Sequence, residues 1–146
     1  MQTITKLREK FGGADLDHLI EAFGDIEIPV ITDQPQRQGD LSWWPMRMGK
    51  VEGLEPVGTK GIAVIRGEAG GNTHLLLAEG DVEFARAPQT RGDNVTLGTL
   101  FVGEGATAII HHLEHGYQLI GGGVGGSLYV MKGARTQMDE VRRVAD

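Results

Sequence analysis

The sequence predicts a mainly β protein, a small antiparallel β-sandwich or barrel carrying an N-terminal helical arm. Three observations lead there. From Leu41 to Met131, short apolar runs alternate with glycine-, asparagine- and aspartate-rich turns, at spacings typical of all-β domains. Hydrophobic residues make up 40% of the 146-residue chain but aromatics only 5%, so the core must be built mainly from Val, Ile, Leu and Ala. Apolar residues at helical spacing occupy the first two dozen positions. A chain of this length can bury a core without metal or disulfide staples.

The arm comes first. Ile4, Leu7 and Phe11 recur at helical spacing among Lys6, Arg8, Glu9 and Lys10. Gly12-Gly13 interrupts the pattern. Asp15 can cap a second helix, in which Leu16, Leu19, Ile20 and Phe23 share a face, and Gly24 can end it. Two such short helices are marginal alone, so their apolar faces need cover from the chain's own core or from a partner. His18 lies away from that face and reads as solvated. Ile26, Ile28 and Val30 alternate as an extended segment, and the polar run after Ile31 reads as a linker. The expected organisation is a helical arm and linker over 1–36, a β domain over 37–138 and a C-terminal tail over 139–146.

Within the β domain, Leu41 to Trp44 opens the first strand, which Pro45 limits or confines to an edge. Alternation sends Trp43 and Trp44 to opposite faces. Residues 49–61 form a turn-rich connection. Residues 61–68 and 74–80 read as hairpin partners across Gly70-Gly71-Asn72. Strands are further expected at 81–85, 95–102, 106–111, 117–120 and 127–131. The last two are expected to form a hairpin with a glycine-rich tip, GGGVGG. That tip suits either a close backbone approach or a flap over a small ligand.

The charge of −6 disfavours nucleic acid, whose binding relies on a basic surface. There is no cysteine, which excludes disulfides and cysteine-ligated zinc. No run reaches membrane-spanning length, and the N-terminus lacks the apolar segment of a secretory signal. The expected location is the cytoplasm or a virion, with no membrane partner.

Few motifs carry chemistry. Arg91-Gly92-Asp93 is an integrin-type triplet in a predicted loop, best read as a polar turn. The GEAGGNTH run lacks the Lys-Ser/Thr pair of a phosphate loop. The cluster HHLEH is the candidate metal site, because imidazole is a common ligand of zinc and other transition metals. Strand alternation separates His111 from His112. A turn starting at Leu113 could bring His112, Glu114 and His115 together, with His74 as the remaining domain histidine. No Ser-His-Asp set or carboxylate pair can be assigned from spacing, so no catalytic residue is nominated and no cofactor is required, zinc or another transition metal being the alternative.

Three segments in order carry a resemblance: Gln38-Gly39-Asp40; Gly67-Glu68 through His74 to Glu79-Gly80; and His112-Leu113-Glu114-His115, followed by a glycine turn and Leu128-Tyr129-Val130. Over residues 37–138 their order resembles an uncharacterised family of small β-rich proteins from bacteria and bacteriophages. Asn72 departs from the family's glycine-histidine-x-histidine turn, and Gly125-Gly126 from its Pro-Gly. The resemblance implies a compact β domain and a phage or mobile-element origin. The expected function is a non-enzymatic structural or accessory protein, a homo-oligomer or a capsid-associated virion component. Leu7, Phe11, Leu19, Phe23, Trp43 and Trp44 are its candidate partner-binding residues. The alternative is a metal-binding module or metal-dependent enzyme using His74, His112, Glu114 and His115.

Overall fold

A computed structural model describes residues 2–11, 24–58, 60–65, 73–88, 95–112 and 116–133. In chain order the described elements are β1 (Gln2–Thr3), α1 (Ile4–Phe11), β2 (Glu27–Ile28), β3 (Val30–Thr32), β4 (Gln36–Gln38), β5 (Leu41–Met46) and β6 (Glu55–Pro56). Then follow β7 (Ile62–Ile65), β8 (His74–Glu79), β9 (Val82–Arg86), β10 (Thr96–Val102), β11 (Thr107–His112), β12 (Gly116–Gly121) and β13 (Ser127–Gly133). They build a β-sandwich. One sheet has the order β4-β5-β13-β10-β9-β6, and the facing sheet β3-β12-β11-β8-β7.

The core lies between these sheets because alternate residues of each strand point inward. Leu41 and Trp43 of β5, Leu100 and Val102 of β10, and Tyr129 and Met131 of β13 meet Leu76, Ala108, Ile110 and Ile120 of the other sheet. The aliphatic core expected from composition is therefore present, with Trp43 and Tyr129 as its largest fully buried members.

The five-stranded sheet is covered on its outer face as well. Ile4 and Leu7 of α1 pack on Leu77, Ile109, Tyr117 and Leu119, joined by Phe11 and Ile28. The helix starts at Thr3, whose hydroxyl accepts from the Lys6 amide at 3.3 Å. Asp25 accepts from the Thr5 amide at 3.0 Å and supplies the negative charge that the helix's own first turn lacks. That amide, more than any other contact, holds the Asp25 carboxyl below its ordinary pKa. Glu79 ties both ends of this small unit down, accepting from Gln2 Nε2 at 2.8 Å and Lys10 Nζ at 2.7 Å. The first helix thus rests on its own chain. The second expected helix, with Leu19 and Phe23, lies outside the described residues.

Two sequence expectations change. The extended segment expected around Ile26 to Val30 forms β2 and β3, but the polar run after Ile31 is not simply a linker, since it contains the end of β3 and all of β4. Val30 to Thr32 pair in parallel with Leu119 to Gly121, and Gln36 to Gln38 pair antiparallel with Leu41 to Trp43. Both strands are short and lie at sheet edges, and β4 is wholly polar. β12 and β13 are also not a hairpin, because they belong to opposite sheets. Residues 122–126 cross the sandwich, and glycine is needed there for close approach. A Cβ on Gly122 would strike the carbonyls of Val102 and Gly103. The turn is pinned by hydrogen bonds from the Gly125 amide to Glu104 and from the Gly123 amide to Ser127 Oγ, both 2.9 Å. That places it as a close backbone approach.

Pro45 is tolerated although β5 is an inner strand. β4 pairs only as far as Trp43, so the flank at Pro45 has no ladder partner to lose. At the opposite edge, Arg86 of β9 donates to Ala63 O of β7 at 2.7 Å and covers the Phe84 ring, so a charged group guards a sheet margin. Among the described residues, no helix is long and apolar enough to cross a membrane.

Candidate functional site

The outer face of the six-stranded sheet leaves Trp44 and Met46 uncovered, while Leu128 and Ala85 on the same face are buried; Ile26, Val30 and Val124 are exposed elsewhere. Register places its outward residues in three rows. Arg37, Ser42 and Lys132 form the first, and Trp44, Val130, Thr99 and Ala85 the second. Met46, Leu128, Phe101 and Glu83 form the third. Trp44 is 46% exposed, Met46 42% and the following Met48 55%. For single side chains such values are ordinary, but Trp44 and Met46 are contiguous on one sheet face.

Local chemistry fixes the tryptophan. Its indole Nε1 donates to Ser42 Oγ at 3.1 Å, so the ring lies along the strand beside Arg37. Pro35, Gln36, Arg37, Ser42 and Trp44 line a shallow cavity of about 290 Å³ there. Among the described residues, Arg37, Lys132 and Glu83 have no ion-pair partner. The face is therefore an apolar band with a basic flank and an acidic flank.

Of the sequence-selected contact residues, Trp44 lies on this face. Trp43 and Leu7 are wholly enclosed by their own chain, and Phe11, at the end of α1, is partly buried against the same cluster as Leu7. Leu19 and Phe23 lie outside the described residues. Met46, Phe101, Val130, Arg37, Lys132 and Glu83 were not singled out from the sequence. Period-two alternation from Trp44 would have reached Met46, but the other five need the strand order.

The histidines divide as alternation requires. His111 faces α1 and stacks on Tyr117, with ring centroids 4.9 Å apart. Burial chiefly, with a smaller effect of neighbouring His112, pushes the His111 pKa down, and burial pushes that of Tyr117 up. His112 faces the inter-sheet core, where its ring lies 4.5 Å from that of His74. Gln38 joins them from the opposite sheet. Its Nε2 donates to Ile110 O at 3.4 Å and Gly116 O at 3.3 Å, and its Oε1 meets His74 Nδ1 at 3.1 Å.

This network assigns a tautomer. Backbone carbonyls only accept, so the Gln38 amide must turn its oxygen to His74. Neutral His74 then carries its proton on Nδ1. Gln38, His74 and His112, one from each of three separate sequence motifs, meet in one buried polar cluster. Glu114, His115 and the Arg91–Asp93 triplet lie outside the described residues. Among the described residues, no three or more His, Cys, Asp or Glu side chains are grouped to hold a metal ion.

No curated protein and no solved structure gives a match. A family model described as a domain of unknown function, DUF8820, matches residues 37–125, a span that takes in β4 through β12 and both Gln38 and the histidine pair. The chain belongs to this DUF8820 family.

Proposed function

We propose that this chain is a non-enzymatic structural or accessory protein whose function is association, using the outer face of its six-stranded sheet. Through that face it self-associates or docks as a component of a larger assembly. A bacteriophage particle is the setting that the motif resemblance implies.

The observation that supports this reading is the asymmetry between the two sheets. The five-stranded sheet has its outer face covered by α1, which buries Ile4 and Leu7. The six-stranded sheet presents Trp44 and Met46 to solvent. Tryptophan and methionine are enriched at interface cores because they give large contact area and adapt their packing.

Analytical ultracentrifugation of the full chain, from micromolar to millimolar concentration, tests the proposal. Concentration-dependent association is expected for the unchanged chain. Trp44→Asp with Met46→Asp should abolish it and leave the far-ultraviolet circular dichroism unchanged. Identical sedimentation of both chains at every concentration would overturn self-association through this face.

A further inference from the structure

We infer that the partner of this sheet face is a second copy of the chain, packed face to face about a two-fold axis. This rests on the association reading above and adds the occupant and its orientation. The reason is the distribution of charge around the apolar band. Arg37 on β4 and Lys132 on β13 lie in the first outward row. Glu83, on β9, lies in the third row toward the other side of the sheet. Basic and acidic groups therefore occupy diagonally opposed regions, with Trp44, Val130, Met46 and Phe101 between them.

A two-fold axis lying in the interface plane, perpendicular to that diagonal, exchanges the two regions. Arg37 and Lys132 of each copy then lie over Glu83 of the other, and each Trp44–Met46 band covers the opposite Phe101 side. Such an isologous contact needs a surface complementary to itself, which a uniformly charged face is not. Among the described residues these three charges have no ion-pair partner to give up on association. Charge complementarity across an interface fixes orientation and suppresses wrong pairings more than it adds affinity.

The size of the patch sets the strength. Five strands and three side-chain rows span roughly 20 Å by 20 Å, so two copies bury on the order of 800 Å² in total. That is below the usual range for a stable complex. The dimer is accordingly weak and forms at high local concentration, as when many copies are gathered on one scaffold.

The test is a charge exchange followed by mixing, read as the dimer dissociation constant by ultracentrifugation. Glu83→Lys alone sets like charges against each other, and so does the double variant Arg37→Glu with Lys132→Glu. Each should weaken dimerisation at least tenfold. Mixing the two variants makes every cross-copy contact complementary again, so a heterodimer of near-original affinity should form. The triple variant should likewise restore self-association. Circular dichroism checks that each variant is folded.

Dimerisation that Trp44→Asp with Met46→Asp abolishes but the charge variants leave unchanged would overturn this orientation and keep the association reading. Weakened variants that mixing fails to rescue would overturn it equally. An unchanged chain that is monomeric throughout, and whose sedimentation the Trp44 and Met46 substitutions do not alter, would overturn this inference together with self-association through the face.

Discussion

The hydroxyl of Tyr129, on the six-stranded sheet, donates to the carbonyl of Gly121 on the five-stranded sheet at 2.8 Å. The same oxygen accepts from the Asp33 amide, also at 2.8 Å. Tyr129 thereby fastens both sheets at the end where residues 122–126 cross. Asp33 occupies the left-handed region, with φ at 54°, and the bond to Tyr129 helps hold that turn.

Removing the hydroxyl alone should therefore be costly. Tyr129→Phe keeps the ring in the core but leaves the Gly121 carbonyl unpaired. A loss of roughly 2 kcal/mol is expected, read as a lower denaturant midpoint with an unchanged slope. A loss below a few tenths would mean that water replaces the bond without penalty.

Arm docking depends on burial more than on charge. Leu7 is fully buried against the five-stranded sheet, so Leu7→Ala should cost about 2–4 kcal/mol. Glu79→Gln removes the ion pair to Lys10, whose side chain is 54% exposed, and should cost well under 1 kcal/mol. Chemical denaturation of the two variants ranks them, and the reverse order would refute this account of the arm.

Acid should loosen the start of α1. Asp25 has a folded pKa below that of a free carboxylate, chiefly because the charged form accepts from the Thr5 amide. A lowered folded pKa means that this contribution is present above the unfolded pKa, about pH 4. It is lost as pH falls through the folded value. Hydrogen exchange at Thr5 should therefore lose protection below about pH 4 in the native chain. In Asp25→Asn that acid-dependent step should vanish.

The buried Gln38–His74 contact should behave as a unit. Gln38→Leu removes the oxygen that His74 Nδ1 meets and should cost about 1–3 kcal/mol. Combining it with His74→Leu should cost less than the sum of the single changes, because both polar partners then leave together. A thermodynamic double-mutant cycle reads the coupling, and strict additivity would contradict the contact.

Gly122→Ala should be among the most damaging small changes. The added methyl meets backbone carbonyls of Val102 and Gly103 rather than flexible side chains. Gly105→Ala is the useful contrast, since a Cβ there meets nothing within 4 Å and only its φ of 76° is unfavourable. Thermal unfolding should place Gly122→Ala well below Gly105→Ala.

Much of the β domain was legible because alternation is a local signal. The residue patterns around Ile62 to Ile65, His74 to Glu79 and Thr96 to Val102 mark strands without help from the rest of the chain. Alternation also separated Trp43 from Trp44 and His111 from His112. It could not say which sheet a strand joins, so β12 and β13 looked like a hairpin. The strand Gln36–Gln38 is wholly polar and so carries no alternation to mark it, although it pairs with the adjoining Leu41–Trp43; Val30–Thr32 lies in the segment that alternation marks as extended, but its partner, Leu119–Gly121, lies far along the chain. The exposed face was invisible for the same reason. Arg37, Lys132 and Glu83 share it only through the order β4-β5-β13-β10-β9.

The parallel pairing of Val30 to Thr32 with Leu119 to Gly121 has a consequence for how the protein is made. As the chain leaves the ribosome, β3 must wait for β12 to be synthesised, and β5 must wait for β13. Trp43 and Leu41, destined for the core, are meanwhile without their final neighbours. Closure between such distant segments is slow, so emerging chains crowded together are at risk of pairing with one another before each is complete.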